Sequence, residues 1–257
     1  DHVPVAQTEV TPAENPRRIA IVGSGPAGLT AAYHLALAGH EVVVHEMEQE
    51  LGGVLRTGIP EFRLPRDVLD REIDGIMALG VEARCGKPTT GEDLAAMAES
   101  YDAVILATGL QWLRPLRVEG ANLDGVEQGI HFLSRINSGE QRGLLGRVIV
   151  LGGGNTAMDC ARSALRAGAD SVVVAYRRTR AEMPAIADEI EEALQEGVEI
   201  QYQKAPISFL GRERVEGIEL ADVARRGHRV GGRGDGATRR ERQTPPPGDR
   251  PHHPARL

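Results

Sequence analysis

Aromatic residues are scarce: three Phe, four Tyr and one Trp make up 3% of 257 residues. A surface that stacks single-stranded bases needs more than that, and a formal charge of −7 argues against a nucleic-acid partner. Only two cysteines are present, Cys85 and Cys160, far apart and outside any CxxC. Their spacing excludes a redox-active cysteine pair and an iron–sulfur cluster ligated by this chain alone. Two reduced thiols fit a cytoplasmic protein. No apolar run approaches the ~20 residues that span a bilayer, and the N-terminus has no signal-peptide core, so no membrane association is expected. The eight histidines show no zinc-ligand spacing. GVEARCGKP has the wrong glycine spacing for a phosphate-binding P-loop, and Pro88 stands where that loop needs Ser or Thr.

What the chain does have is alternation. Residues 1–16 are polar and punctuated by proline, which reads as a leader or linker. The chain opens on Asp1 rather than Met, as a processed or partial chain would. IAIVG (19–23) predicts a strand, 26–39 a helix and EVVVHE (41–46) a second strand. Residues 65–80 carry Val68, Leu69, Ile73, Ile76 and Met77 at helical spacing. VEARC, a helix over 91–100 and a strand within DAVILATG (102–109) follow, then a less regular connection with a helix at HFLSRI. From Arg147 the rhythm restarts with RVIVLGGG, NTAMDCARSALRAG, SVVVAY, a helix over 188–197 and VEIQYQ. Strands and helices alternating in this way predict an α/β chain with two Rossmann-like, doubly wound parallel sheets. The expected boundaries are 17–145 for a first dinucleotide-binding domain and 146–220 for a second, inserted one.

Each half opens on a glycine loop between a strand and a helix. In the first, Gly23 permits the tight turn, Gly25 removes a side chain where a pyrophosphate would approach, and Gly28 lets helix and strand pack closely. The helix start then offers N–H groups and a positive dipole end to phosphate. Eighteen residues after Gly28, Glu46 ends the second strand, placed to accept both ribose hydroxyl protons. This much fits NAD or FAD. Gly52 and Gly53, which allow a second backbone approach, and the small residues Ala107, Thr108 and Gly109 favour FAD.

The second loop repeats the pattern with Gly152, Gly154 and Ala157, alanine being an accepted third residue. Here no carboxylate directly follows the strand; Arg177, Arg178 and Arg180 do. An acid at that place repels a 2′-phosphate, whereas guanidinium groups bind phosphate oxygens with paired, charge-assisted hydrogen bonds. NADPH is therefore the expected second nucleotide. With a flavin and a nicotinamide in one chain, hydride transfer between them needs no protein acid or base, and no catalytic residue is assigned.

Five ordered stretches, IVGSGPAGL, LGGVLRTGIPEFRLPRDVLDREI, VILATG, VIVLGGGNTAMDCARSALRAGA and YRRTRAEMPA, resemble the small subunit of NADPH-dependent glutamate synthase. They are similar also to the FAD/NADPH portion of dihydropyrimidine dehydrogenase. The resemblance covers about residues 17–220. It implies that Gly25, Pro26, Ala27, Glu46, Gly53 and Leu55 contact FAD and that Arg63 lies near the flavin. It further implies that Asn155, Thr156, Arg177, Arg178 and Arg180 contact NADPH. Electrons would pass on to iron–sulfur centres of a partner chain or catalytic large subunit. A thioredoxin-reductase-like disulfide reductase shares the architecture but needs a cysteine pair that this sequence lacks. A nucleotide-binding fragment without turnover and a flavin monooxygenase are the remaining alternatives.

Residues 221–257 depart from that pattern. They hold nine Arg, six Gly and five Pro and are expected to be disordered. The abrupt change is what a shifted reading frame in a GC-rich gene would leave, an expectation that resequencing the locus tests.

Overall fold

The computed structural model describes residues 10, 12–110, 115–140, 143, 146–223 and 240–243. The chain divides into two compact units, one of residues 1–113 and 130–142, the other of 114–129 and 143–257.

The first unit is built on a parallel sheet of β1 (Arg18–Val22), β2 (Glu41–His45), β3 (Glu82–Arg84) and β4 (Ala103–Leu106), in the order β3-β2-β1-β4. Successive residues of a strand face opposite sides, and β1 shows the consequence. Ile21, with Val42 and Val44 of β2, packs against Leu29, Ala32 and Ala36 of α1 (Pro26–Leu37) and Leu69 and Ile73 of α3 (Arg66–Met77). Ala20 and Val22 face the other way, onto Met97 of α4 (Gly91–Ser100). Helices therefore cover both faces, which is why the central strands are apolar throughout rather than alternating. A short α2 (Val54–Thr57) precedes α3, and α5 (Gly129–Asn137) returns to this unit. Strand order reverses at β1, so the crevice between the loops after β1 and β4 is the switch point of the sheet.

The second unit repeats half of that design. β5 (Arg147–Leu151), α6 (Asn155–Arg166), β6 (Ser171–Tyr176), α7 (Ala187–Gln195) and β7 (Glu199–Tyr202) form a parallel sheet in the order β5-β6-β7. This order runs one way, so among the described residues the doubly wound topology expected of both sheets is seen in the first alone. What the periodicity did not predict is an antiparallel hairpin, β8 (Lys204–Gly211) and β9 (Val215–Asp222). Ile218, Leu220 and Phe209 of the hairpin pack on Ala175, Ile149 and Leu151 of the parallel sheet. Within the connection, Glu119 and Asp124 make isolated parallel bridges to Ser208 and Arg214, which ties 114–129 to this unit.

Disorder was expected over 221–257. Ala221 and Asp222 belong to β9, and Arg240–Gln243 forms β10, antiparallel to its edge. An edge strand presents unpaired N–H and C=O groups that any chain segment can satisfy, whatever its composition. Val223 is described as well; residues 224–239 and 244–257 lie outside the described residues, as do most of the leader and parts of the 110–145 connection.

Candidate functional site

The first glycine loop is set by contacts that tolerate no side chain. A Cβ on Gly28 would stand 1.9 Å from the Gly23 carbonyl oxygen, and one on Gly23 (φ 103°) would stand 2.4 Å from that of Ala107. Helix α1, the loop and the end of β4 are thus pressed backbone to backbone at the switch point. Gly25 differs: a Cβ there would meet nothing within 4 Å. It is the N-cap of α1, has no side chain to cap it, and Pro26 follows at the first helical position. The N–H groups of the first turn have no intrahelical acceptor, so open space lies before an uncapped, positive helix end. Such a helix end suits an anion, and Pro26 and Ala27 stand exposed at its rim.

Ser24 is the residue that the sequence reading passed over. It is fully buried. Its N–H and hydroxyl donate to Glu46 at 2.8 and 2.5 Å, and its hydroxyl and carbonyl accept from the Gly52 N–H at 3.1 and 3.2 Å. The other Glu46 oxygen accepts from the Glu48 N–H at 3.0 Å. One serine therefore joins Glu46 to the second glycine pair. Gly53 (φ 51°) lies so close to the first loop that a Cβ would come within 2.8 Å of the Gly25 Cα. The place of Ser24 in GSGPAG, between two glycines of the loop, was the available signal.

Residues 51–59 are held by side chains the sequence reading did not single out. Arg56 donates to the Leu51 carbonyl at 2.7 Å and pairs with Asp70. Arg66 donates to the carbonyls of Leu55 at 3.1 Å and Ile59 at 2.9 Å, and Asn137 to those of Thr57 and Ile59 at 2.9 and 3.2 Å. Burial lowers the Arg66 pKa from its ordinary value. Leu55 packs on the core of the first unit, while Arg63 is half-buried in the turn before α3, its N–H on the Pro60 carbonyl. Thr108 and Gly109 (φ 70°) are exposed beyond β4.

The second loop solves the same geometry with other residues. Gly23 N–H meets the His45 carbonyl and Gly152 N–H that of Ala175, so Tyr176 occupies the place of Glu46 and Gly153 that of Ser24. A Cβ on Gly153 would lie 2.6 Å from the Tyr176 ring, whose hydroxyl donates to the Glu182 carbonyl at 2.6 Å. An aromatic ring thus fills the position where the first loop holds a carboxylate. Gly154 caps α6 without a side chain, and a Cβ there would find only Pro184 Cγ, at 3.9 Å. Ala157 sits where Gly28 sits in the first loop and is buried, and Thr156 is exposed. Asn155 Oδ1 accepts from the Ile186 N–H at 2.9 Å, and the Gly153 carbonyl from Ala185 at 3.1 Å, so residues 185–186 are pinned to the loop.

The three arginines separate into two kinds. Arg180 pairs with Glu191. Arg177 and Arg178 are exposed, and among the described residues neither guanidinium has an ion-pair partner. The two cysteines are both free, Cys85 exposed and Cys160 buried. Among the described residues no His, Cys, Asp and Glu cluster could hold a metal ion, and no helix is long and apolar enough to cross a membrane.

The family model described as pyridine nucleotide-disulphide oxidoreductase matches residues 17–226. Over 219 residues the chain is 43% identical to the NADP(+)-dependent formate dehydrogenase subunit beta of Moorella thermoacetica, covering 82% of this chain and 31% of that one. Over 218 residues it is 39% identical to the putative glutamate synthase (NADPH) small chain of Cereibacter sphaeroides, covering 80% of this chain and 52% of that one. It thus spans a third to a half of the length of these relatives. Its fold is that of FprA from Mycobacterium tuberculosis, solved in complex with NADPH: TM-score 0.70, 21% identity, 90% of this chain and 69% of that one.

Proposed function

From a chain that belongs to the pyridine nucleotide-disulphide oxidoreductase family, we infer that the first unit binds FAD and the second NADPH. When bound, the pair supplies hydride transfer from the nicotinamide to the flavin. The observation that carries this reading is the contrast between the two strand ends. The first carries the Glu46 carboxylate, buried and oriented by Ser24, and the second carries Arg177 and Arg178, exposed and without an ion-pair partner among the described residues. A carboxylate suits ribose hydroxyls; paired guanidinium groups suit a 2′-phosphate.

The residues divide the work. Gly25, Pro26, Ala27 and the uncapped start of α1 receive one diphosphate, with Gly52, Gly53 and Leu55 alongside it and Arg63, Thr108 and Gly109 toward the ring system. Gly154, Asn155 and Thr156 receive the other diphosphate at the start of α6, and Arg177 and Arg178 its 2′-phosphate. Arg180 joins them only by leaving Glu191. No side chain exchanges a proton in this scheme. The protein orients both nucleotides and keeps water out.

Relatives named as subunits of formate dehydrogenase and glutamate synthase support a partner that takes the electrons on, through iron–sulfur centres of another chain or domain. Two unpaired thiols suit a reducing, cytoplasmic setting. The test is an anaerobic titration of the FAD-loaded protein with NADPH, followed in the visible spectrum, with NADH as control. Bleaching by NADPH and far less by NADH is expected. A chain that never retains flavin would overturn the assignment of the first unit.

A further inference from the structure

Among the described residues, Gln203 is the one non-glycine residue with positive φ, 58°. It sits where the second unit changes from a parallel to an antiparallel sheet. β7 ends at Tyr202, in register with Tyr176 of β6, and β8 begins at Lys204, in register with Asp222 of β9. The left-handed conformation is disfavoured for an L side chain, so the surroundings must hold it. They do so with three hydrogen bonds. The Gln203 N–H donates to the Arg178 carbonyl at 3.1 Å, its carbonyl accepts from the Val223 N–H at 2.8 Å, and its Nε2 donates to the Val223 carbonyl at 3.3 Å.

We propose that Gln203 is a positioning residue for the Arg177–Arg178 cation pair and thereby sets the preference for a 2′-phosphorylated nucleotide; this rests on the reading of those arginines above. Neither guanidinium is held by an ion pair among the described residues, so their direction depends on their backbone. Among the contacts that hold that turn are the Gln203 N–H on the Arg178 carbonyl, the Glu182 carboxylate, which accepts from the Thr179 N–H at 3.2 Å and its hydroxyl at 2.8 Å, and the Tyr176 hydroxyl on the Glu182 carbonyl. A residue that resists positive φ at 203 must shift the end of β7 to keep Lys204 paired with Asp222 of β9, which loosens the Gln203–Arg178 contact. Arginines on a loosened turn must then be ordered by the phosphate itself, which weakens binding. The cost falls on the 2′-phosphate alone, because the diphosphate meets the start of α6 on the far side of β6.

The test is calorimetric titration of the full chain with 2′,5′-ADP and with 5′-AMP, with a thermal melt of each variant. Gln203→Gly and Gln203→Asn, which accept positive φ, are expected to keep the wild-type affinity ratio. Gln203→Val is expected to weaken 2′,5′-ADP roughly fivefold, the scale of one hydrogen bond, and to leave 5′-AMP unchanged. If the valine variant does not melt cooperatively, Gln203→Thr, β-branched but smaller in apolar surface, carries the same backbone penalty and the same expectation. A valine or threonine variant that keeps the ratio, while Arg178→Ala loses it, overturns the positioning role and leaves the arginine reading standing. If Arg177→Ala with Arg178→Ala keeps the ratio, the arginine reading fails and the role of Gln203 falls with it.

Discussion

Two glycines of one loop, three residues apart, do different work, and alanine distinguishes them. At Gly28 an added methyl meets the Gly23 carbonyl oxygen at 1.9 Å, so α1 must move off β1. Gly28→Ala is expected to lose about 2–3 kcal/mol of stability, read as a lower urea midpoint. At Gly25 the methyl enters open space, with φ at −69°. Gly25→Ala is expected to stay within about 0.5 kcal/mol of wild type and yet to retain less FAD, because the methyl enters the proposed diphosphate site. Equal stability losses would mean that Gly25 too is a packing residue. The cysteines make a second contrast. Burial, then the nearby charges of Asp159 and Glu127, push the Cys160 thiol up to about 12. Maleimide at neutral pH should label Cys85 alone in the folded protein, as peptide mass mapping would show.

At the scale of elements, helix α6 is joined to α7 by charge. Arg162 is 5% exposed and pairs with Glu189 at 2.9 Å, Glu192 at 2.6 Å and Glu196 at 2.8 Å, while Arg166 reaches Glu196 at 2.7 Å. Three acids round one guanidinium leave the group well solvated by protein. Its removal strands partly buried carboxylates, so Arg162→Ala is expected to cost about 3 kcal/mol. Burial alone would raise the Glu196 pKa, but hydrogen bonds from Arg166 and Arg162 and their charges outweigh it and hold the carboxyl below the usual range. A carboxylate whose folded pKa is depressed contributes stability above its unfolded pKa and loses it as pH falls through the folded value. The urea midpoint should therefore fall as pH drops below the usual carboxylate range. Arg162→Met should flatten that part of the profile; an unchanged profile would show that other acids set it.

At the scale of the whole molecule, each unit has its own core, so changes in one nucleotide's contacts should not reach the other. Arg177→Glu with Arg178→Glu is expected to weaken NADPH binding at least tenfold, since two attractions to a phosphate become repulsions. FAD content, read from the visible spectrum, should stay at the wild-type level. Loss of flavin in that variant would show that the two halves are not independent.

Much of the scaffold was legible in the residues. Short, continuously apolar runs, two of them leading through a glycine loop into a helix, are local signals, and β1, α1, β2, β5, α6 and β6 fall where those signals put them. The arginine cluster and Glu46 were visible as charges at strand ends. The hairpin β8–β9 was not: its turn over 212–214 reads Arg-Glu-Arg, without the Asn-Gly or Asp-Gly pair that marks a hairpin, and its apolar face is set by packing on β5 and β6. Nor was Ser24 or Gln203 marked by its type: a buried serine bridging Glu46 to Gly52 and a glutamine in left-handed conformation are defined by what surrounds them. Composition and periodicity determined the parallel strands and the helices between them and raised the expectation of two nucleotide sites, since these signals depend on neighbours in the chain. Tertiary structure alone decided that Gly23 bears on Ala107, that Gly53 bears on Gly25 and that Ser24 bridges Glu46 to Gly52, because those contacts join segments far apart in sequence.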